Sequence, residues 1–243
     1  MIYDYAITPG NAELKLSFSD RLRLKQLSYG EPKGGEEAYT TGKVSVKGWE
    51  DCEVRPPPPN DSDTTYQELL QIKAIITASP KKFDAVAYEQ DKPEPSFEFA
   101  FVDYIRDQEN DDIYDLVDRL GEDLTRIGMH HKLKYQRPRP YQVAEVYGMD
   151  LQIPIGKTTQ TPSYPSNHSF IGKCIALHLA DKYPMHSDKL NEMGDEFGLN
   201  RVRMGWHFPS DHHARQELAY KINSILWQNL PKSLNQLYLL HEK

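Results

Sequence analysis

Apolar side chains recur at spacings of three and four residues along most of the chain after residue 60, a pattern that predicts amphipathic helices. We expect helices over residues 62–79, 111–131 and about 166–182, and two more that begin at Ser187 and Ser210. The helix over 166–182 is apolar on most of its sides, so we expect it to be central and buried. Residues 81–108 are mixed and contain prolines, and residues 141–164 are predicted to form a loop.

The first 55 residues have a different pattern. Apolar and polar positions alternate over residues 12–16 and 44–46, as in short strands, and a glycine-rich turn region lies between them. Four prolines at 56–59 then form a stiff spacer. The predicted fold class is therefore all-α, a helical bundle with an irregular, partly β N-terminal arm. The predicted division is an N-terminal arm (1–55), a helical domain (56–230) and a C-terminal tail (231–243).

Charge narrows the classes of ligand. The 243 residues carry a net charge of −7, which argues against a nucleic-acid binder that works through a broad basic face. It does not argue against a compact anion site, because a few cations that converge on one pocket act locally. We therefore expect no nucleic-acid partner, while a small anionic ligand remains open.

Hydropathy, the N-terminal sequence and the cysteine content indicate the cellular compartment of the protein. Mean hydropathy is −0.70, and no apolar run approaches the ~18–20 residues that span a bilayer. The N-terminus lacks the pattern of a signal peptide, which predicts a cytoplasmic protein without a membrane partner; packaging into a virus particle stays open. Cys52 and Cys174 are expected to be free thiols, with Cys174 buried in a helix.

One candidate segment for chemistry runs from residue 132 to residue 140. It holds Lys132 and Arg139 near each other, and Pro138 and Pro140 restrict the backbone on both sides of Arg139. An anion site needs cations that are held in position, because loose side chains lose entropy on binding. Taken alone, the segment fits a solvated basic linker better than a site.

A second segment, residues 163–168, lies at the start of the predicted buried helix. Free backbone N–H groups and the positive end of the helix dipole attract phosphate there, and the Ser166 hydroxyl adds a donor. His168, in the first turn, could reach a leaving-group oxygen. The alternative is that Ser166 only caps the helix and that His168 is a structural histidine.

The third segment, residues 200–211, contains Arg201, His207 and Asp211. A carboxylate bonded to one imidazole nitrogen fixes the tautomer and leaves the other nitrogen available as a nucleophile. The alternatives are a structural His–Asp contact at a helix start, or a metal site that adds His212 and His213. We disfavour the metal site, since there is no HExxH pattern and no cysteine pair.

In order and spacing, the three segments read Lys-x6-Arg-Pro, Pro-Ser-x-His and Arg-x5-His-x3-Asp. This pattern resembles the signature of the type 2 phosphatidic acid phosphatase superfamily, which includes the bacterial class A nonspecific acid phosphatases and the vanadium haloperoxidases. The acid phosphatases are the most similar, since they share a proline-rich stretch before Asp-Ser and a Ser-Tyr-Pro-Ser-x-His sequence. The resemblance covers roughly residues 55–228 and implies the helical fold of that superfamily.

The resemblance implies a role for each matched residue. His207 would attack phosphorus and form a phosphohistidine, Asp211 would orient His207, and His168 would protonate the leaving alcohol and then activate water. The phosphoryl oxygens would be bound by Lys132, Arg139, Ser166, the backbone near Asn167, and Arg201. Three cations can neutralise the transferred group without a metal, so we expect no metal and no cofactor.

Two positions depart from the superfamily pattern. Asn167 replaces the usual glycine and Asn200 the usual serine, which bears on substrate choice and rate. Other charged residues in the segments, including Lys134, Arg137 and Arg203, are interpreted as lying outside the site. His130, His131, His178, His186 and His241 are interpreted as structural or solvated.

The resulting hypothesis is a metal-independent phosphomonoesterase that hydrolyses small soluble phosphate esters, with nucleotides among the candidates. One alternative is a haloperoxidase with vanadate as its prosthetic group; in a phosphatase, vanadate would act as an inhibitor. Another is a non-catalytic phosphate-binding or virion structural protein on the same fold. The sequence leaves a homo-oligomer open, without a residue-level argument for it.

Overall fold

The computed structural model describes residues 16–30, 42–78, 98–153 and 159–229. These residues form α-helices and two short 3-10 turns, and they contain no β-strand. None of the described helices has the length and apolar content needed to cross a bilayer. In chain order the helices are α1 (Phe18–Gln26), α2 (Asp63–Ala78), α3 (Phe99–Glu109), α4 (Tyr114–Tyr135), α5 (Pro140–Val146), α6 (Asn167–Lys182), α7 (Ser187–Arg203) and α8 (Pro209–Asn229).

The all-α fold is confirmed, and α2, α4, α6, α7 and α8 lie close to where the hydrophobic pattern predicts them. Ser62 caps α2, since its Oγ accepts a hydrogen bond from the backbone N–H of Thr65 at 3.2 Å. α3 and α5 are not predicted: their sequences lie in stretches interpreted as mixed or as loop. α5 begins at Pro140, where proline is favoured because the first helical N–H needs no partner.

The strands predicted for the N-terminal arm do not form in the part of the arm that the structure describes, residues 16–30 and 42–55. Residues 44–46 form no strand; they run alongside α4, where Asp123 accepts a hydrogen bond from the Ser45 backbone N–H at 3.0 Å. Residues 12–15 lie outside the described part of the chain. The described part of the arm instead contains α1, which begins with the Ser17 side chain accepting from the Asp20 backbone N–H. The division into arm, domain and tail stays a prediction.

α6 is the central helix of the bundle, as predicted, and packs against α4, α7 and α8. Its side chains Phe170, Ile171, Cys174, Ile175 and Leu179 are buried in the main hydrophobic core. α7 approaches closely because glycines face each other: a Cβ added at Gly194 would lie 2.6 Å from the Gly172 carbonyl oxygen. Both cysteines are buried free thiols.

A second, smaller core lies between α1, α2, α5 and the start of α8. Its buried members are Leu24, Leu69, Ile72, Val143, Ala144, Leu151 and Phe208. Asn60 ties α1 to this core, because its Nδ2 donates to the carbonyls of Leu24 at 3.0 Å and Leu27 at 2.9 Å.

Candidate active site

The three segments meet around His207, in the turn between α7 and α8. The Arg139 guanidinium lies 3.0 Å from His207 Nε2, which joins the first and third segments. The Ser166 backbone N–H donates to the Asp211 carbonyl at 3.2 Å, which joins the second and third. Residues that are separate in sequence therefore converge as the spacing predicts.

His207 and Asp211 form the expected pair at the start of α8. Asp211 is fully buried, and its Oδ2 lies 3.1 Å from His207 Nδ1. The same oxygen accepts from the Phe208 backbone N–H at 2.9 Å and from the Ser163 hydroxyl at 2.5 Å. Oδ1 accepts from Arg137 Nη1 at 2.6 Å. With so many donors, the carboxylate is rigidly held and ionised.

The charge states follow from burial and from neighbouring cations. Burial alone would raise the pKa of Asp211, but the Arg137 guanidinium and the hydrogen bond from His207 outweigh it, so the pKa lies below its usual value. The pKa of His207 lies well below its usual value, because burial and Arg139 disfavour the imidazolium. Neutral His207 therefore donates Nδ1–H to Asp211 and keeps its Nε2 lone pair toward Arg139.

Arg139 is held by three protein acceptors. Its Nε donates to the Thr161 carbonyl at 2.8 Å, Nη2 to the Thr161 hydroxyl at 3.1 Å and Nη1 to the Trp206 carbonyl at 2.8 Å. Its backbone N–H donates to Gln142 Oε1 at 2.8 Å at the start of α5. Burial lowers its pKa to about 10, which leaves the guanidinium charged at neutral pH.

Lys132, in the last turn of α4, approaches the same loop from the other side. Its Nζ donates to the carbonyls of Pro162 at 2.5 Å and Ser163 at 3.3 Å. Burial and the nearby Arg139 charge lower its pKa well below the usual value, whereas Asp211 raises it. Two buried cations that repel each other in this way would be stabilised by a bound anion.

Arg201 and His168 complete the group. Arg201, at the end of α7, is fully buried, and its guanidinium lies 5.1 Å from the centre of the Trp206 ring. The pKa of His168 lies well below its usual value because of burial and because Arg201, His207, Lys132 and Arg139 all act on it. Electrostatic interactions thus link His168 to the candidate nucleophile His207 and to the three predicted phosphate-binding cations.

The two positions that depart from the superfamily pattern lie in different surroundings. The Asn167 side chain lies against Gly128 of α4, and its Oδ1 is buried without a hydrogen-bond partner among the residues that the structure describes. Asn200 Oδ1 accepts from Arg203 at 2.7 Å. Arg203 is also paired with Glu196, so this side of α7 is stabilised apart from the site.

The interpretation of Arg137 as lying outside the site is wrong. It is buried between two carboxylates: Nη1 contacts Asp211, and Nη2 lies 3.3 Å from Glu68 Oε2. Glu68, on α2, also accepts from the Ser210 backbone N–H at 2.5 Å. Arg137 and Arg139 are two residues apart in an extended segment and therefore point the same way, a signal that the sequence contained. Ser163 lies in the second candidate segment, but its hydrogen bond to Asp211 is not predicted. Glu68 is missed for want of any local signal.

The metal alternative does not form among the described residues, where no group of three or more His, Cys, Asp and Glu side chains comes together. His212 points away from His207. Its Nδ1 lies 3.0 Å from the Ser169 hydroxyl, and its Nε2 contacts Arg215. Both ring nitrogens of His212 are therefore engaged with other side chains.

No family model matches the chain. Among curated proteins, a non-specific acid phosphatase of Providencia stuartii is 29% identical over 192 residues, which cover 75% of each chain. One of Salmonella typhimurium is 27% identical over 165 residues, 64% of this chain and 65% of the other. An acid phosphatase of Zymomonas mobilis is 40% identical over a shorter stretch of 57 residues, 24% of this chain and 22% of that protein.

Among solved structures, a bacterial vanadium-dependent iodoperoxidase superposes with a TM-score of 0.65 at 14% identity. The match covers 93% of this chain and 64% of that one, so this chain spans a little under two thirds of its length. At this identity the likeness establishes the shared all-α fold. The sequence relatives and the fold point to one superfamily.

Proposed function

Because the chain belongs to the superfamily that joins the acid phosphatases to the vanadium haloperoxidases, we propose that it is a metal-independent phosphomonoesterase that acts on small soluble phosphate esters. The observation that carries the proposal is the His207 environment. Nδ1 is hydrogen-bonded to a rigid, ionised Asp211, while Nε2 faces the Arg139 guanidinium, whose charge also acts on the buried Lys132. This arrangement makes a nucleophile directed at an anion-binding pocket.

Catalysis would proceed in two transfers. His207 Nε2 attacks phosphorus as the bond to the ester oxygen breaks, and His168 gives its proton to the departing alcohol. His168 then takes a proton from water, which attacks the phosphohistidine and releases phosphate and neutral His207. The phosphoryl anion favours the protonated form of His168, because it offsets the field of Arg201 and the other cations.

Arg139 has a second part in this scheme. In the structure its Nη1 occupies the hydrogen-bonding direction of the His207 Nε2 lone pair. A substrate would have to exchange that contact for one between the guanidinium and a phosphoryl oxygen. Because Thr161 holds Nε and Nη2 of the guanidinium, only the Nη1 contact with His207 has to be exchanged. The nucleophile is then uncovered only when an anion is bound.

Hydrolysis of a generic aryl phosphate by purified protein tests the proposal. We expect turnover in the wild type and none in His207→Ala. A matched control is His186→Ala, whose histidine pairs with Glu109 far from the site and should leave the rate unchanged. Absence of hydrolysis by folded wild-type protein, or equal turnover in His207→Ala, would overturn the proposal. Tight binding of inorganic phosphate without turnover would instead favour the non-catalytic hypothesis.

The haloperoxidase hypothesis is favoured by one observation, the fold shared with the iodoperoxidase. Vanadate has the geometry of the phosphoryl-transfer transition state, so the donors and cations of Arg139, Lys132 and Ser166 fit it as they fit phosphate. When bound, it would supply activation of peroxide toward halide. Halide oxidation after vanadate loading, in protein that lacks phosphatase activity, would support this second candidate over the first.

A further inference from the structure

A series of hydrogen-bonded, buried polar side chains begins at Ser166. The Ser166 Oγ accepts from the Ser169 hydroxyl at 2.9 Å, and the Ser169 Oγ lies 3.0 Å from His212 Nδ1. Nε2 of His212 contacts the Arg215 guanidinium, which is anchored by Asp195 at 2.8 Å. The scheme of the proposed function uses Ser166 but assigns no part to the groups behind it.

Which group donates in each of these hydrogen bonds follows from the chemistry of Arg215, at one end of the series. A guanidinium only donates, so Nε2 of His212 must accept from Arg215. Burial and the nearby Arg215 lower the pKa of His212 to about 2, so the imidazole is neutral. A neutral imidazole with a bonded Nε2 lone pair carries its proton on Nδ1, and it therefore donates to Ser169.

Because Ser169 accepts from His212, its own hydroxyl proton is donated to Ser166. The Ser166 oxygen also faces the Ser169 backbone N–H at 3.5 Å, so both of its lone-pair directions are engaged. The described residues offer no acceptor to the remaining Ser166 proton, at the N-terminal end of α6, where a phosphoryl oxygen would lie.

The packing of α7 is built around this pair. A Cβ added at Gly198 would overlap both the Ser169 Oγ and the His212 Nδ1. Only a glycine at this position leaves room for the contact. The Ser169 and His212 side chains are buried, so solvent cannot substitute for either partner.

We propose that Ser169 and His212 are positioning residues that hold the Ser166 hydroxyl as a hydrogen-bond donor to the bound phosphoryl group. The proposal rests on the proposed function, because it assigns the donor's target to that site. Without Ser169, the Ser166 hydroxyl can rotate and point its proton elsewhere. The donor is then present but available only part of the time, which weakens binding of the transition state.

A double-mutant cycle tests the proposal. Ser166→Ala removes the donor and should lower kcat/KM by about 100-fold, and Ser169→Ala should lower it by about tenfold. In the Ser166→Ala background, Ser169→Ala should change kcat/KM by less than about twofold, because no hydroxyl is left to orient. Ser169→Thr keeps the hydroxyl and should restore most of the rate. Ser224→Ala, an exposed serine on α8, is the matched control.

His212 is tested through the same readout. His212→Leu should lower kcat/KM as much as Ser169→Ala, and the two together should cost no more than either one alone. His212→Asn keeps an N–H donor on the Ser169 side and should be milder. If His212→Leu fails to fold, the Ser166–Ser169 cycle alone decides the proposal.

The outcomes separate this inference from the proposed function. If the wild type hydrolyses phosphate esters but the effects of Ser166→Ala and Ser169→Ala multiply, Ser169 acts independently of Ser166 and this inference is overturned while the phosphatase stands. If the wild type does not hydrolyse, the same cycle is measured on the Kd of inorganic phosphate. There, non-additive losses support the inference; multiplied losses, or no phosphate binding at all, overturn it.

Discussion

Arg137 offers a direct test of how the catalytic pair is supported. Its side chain is 1% exposed and contacts two buried carboxylates, Asp211 at 2.6 Å and Glu68 at 3.3 Å. Arg137→Gln would remove the ion-pair partner of Glu68 and of Asp211 Oδ1 in a region that solvent does not reach. Removal of one partner from a buried ion pair typically costs about 3–5 kcal/mol. We expect a loss of that size in the free energy of unfolding at neutral pH.

The loss should depend on pH. In the wild type the pKa of Asp211 lies below its usual value, so its contribution to stability is complete above about pH 4, the ordinary carboxyl pKa, and is lost as pH falls toward the folded pKa. In Arg137→Gln, burial acts on Asp211 without the opposing charge, and its folded pKa rises. Burial already raises the pKa of Glu68 despite Arg137, and it would rise further. The difference in the free energy of unfolding between wild type and Arg137→Gln therefore becomes smaller as the pH falls.

Urea unfolding followed by circular dichroism, at neutral pH and near the ordinary carboxyl pKa of about 4, measures both effects. The matched control is Arg106→Gln on the exposed surface of α3, where the pair with Asp103 spans 3.3 Å. Its loss should stay below about 1 kcal/mol. A loss of under about 1 kcal/mol in Arg137→Gln, or a loss that does not change with pH, would refute the reasoning.

Two glycine substitutions test the packing around the site. In Gly128→Ala the new Cβ overlaps Asn167 Oδ1. The gain of about 1 kcal/mol in the free energy of unfolding that alanine brings to a helix should therefore appear only in an Asn167→Gly background. Equal effects in both backgrounds, measured by thermal unfolding, would contradict the contact. Gly198→Ala overlaps Ser169 and His212 together and should lower the free energy of unfolding by about 1–3 kcal/mol while slowing hydrolysis. A variant as stable and as active as the parent would count against that packing.

The parts of the site that sequence could predict are those fixed by local geometry. His207 and Asp211 are four residues apart at the start of a helix, a spacing that brings their side chains together, and they lie 3.1 Å apart. Ser166 caps α6 where the sequence places a helix start. Each of these predictions needs only the immediate neighbours in the chain, which is why it can be made without a structure.

The parts that sequence could not predict depend on long-range contacts. Glu68 reaches Arg137 across 69 residues, and nothing near either residue indicates the partner. α5 is missed for a different reason: Pro140 ends one extended segment and also begins the next helix, and the prediction of a loop uses only the first of these effects.

The central claim is that His207 carries the phosphoryl group, and trapping that intermediate tests it most directly. Substrate is mixed with enzyme, the reaction is quenched in alkali, which preserves phosphohistidine, and the modified peptide is identified by mass spectrometry. With an aryl phosphate, whose leaving group needs little protonation, we expect one phosphoryl group on His207. It should be absent in His207→Ala and should accumulate in His168→Ala, where hydrolysis of the intermediate is slowed. Phosphoryl transfer to His168, or rapid turnover with no adduct on His207, would contradict it.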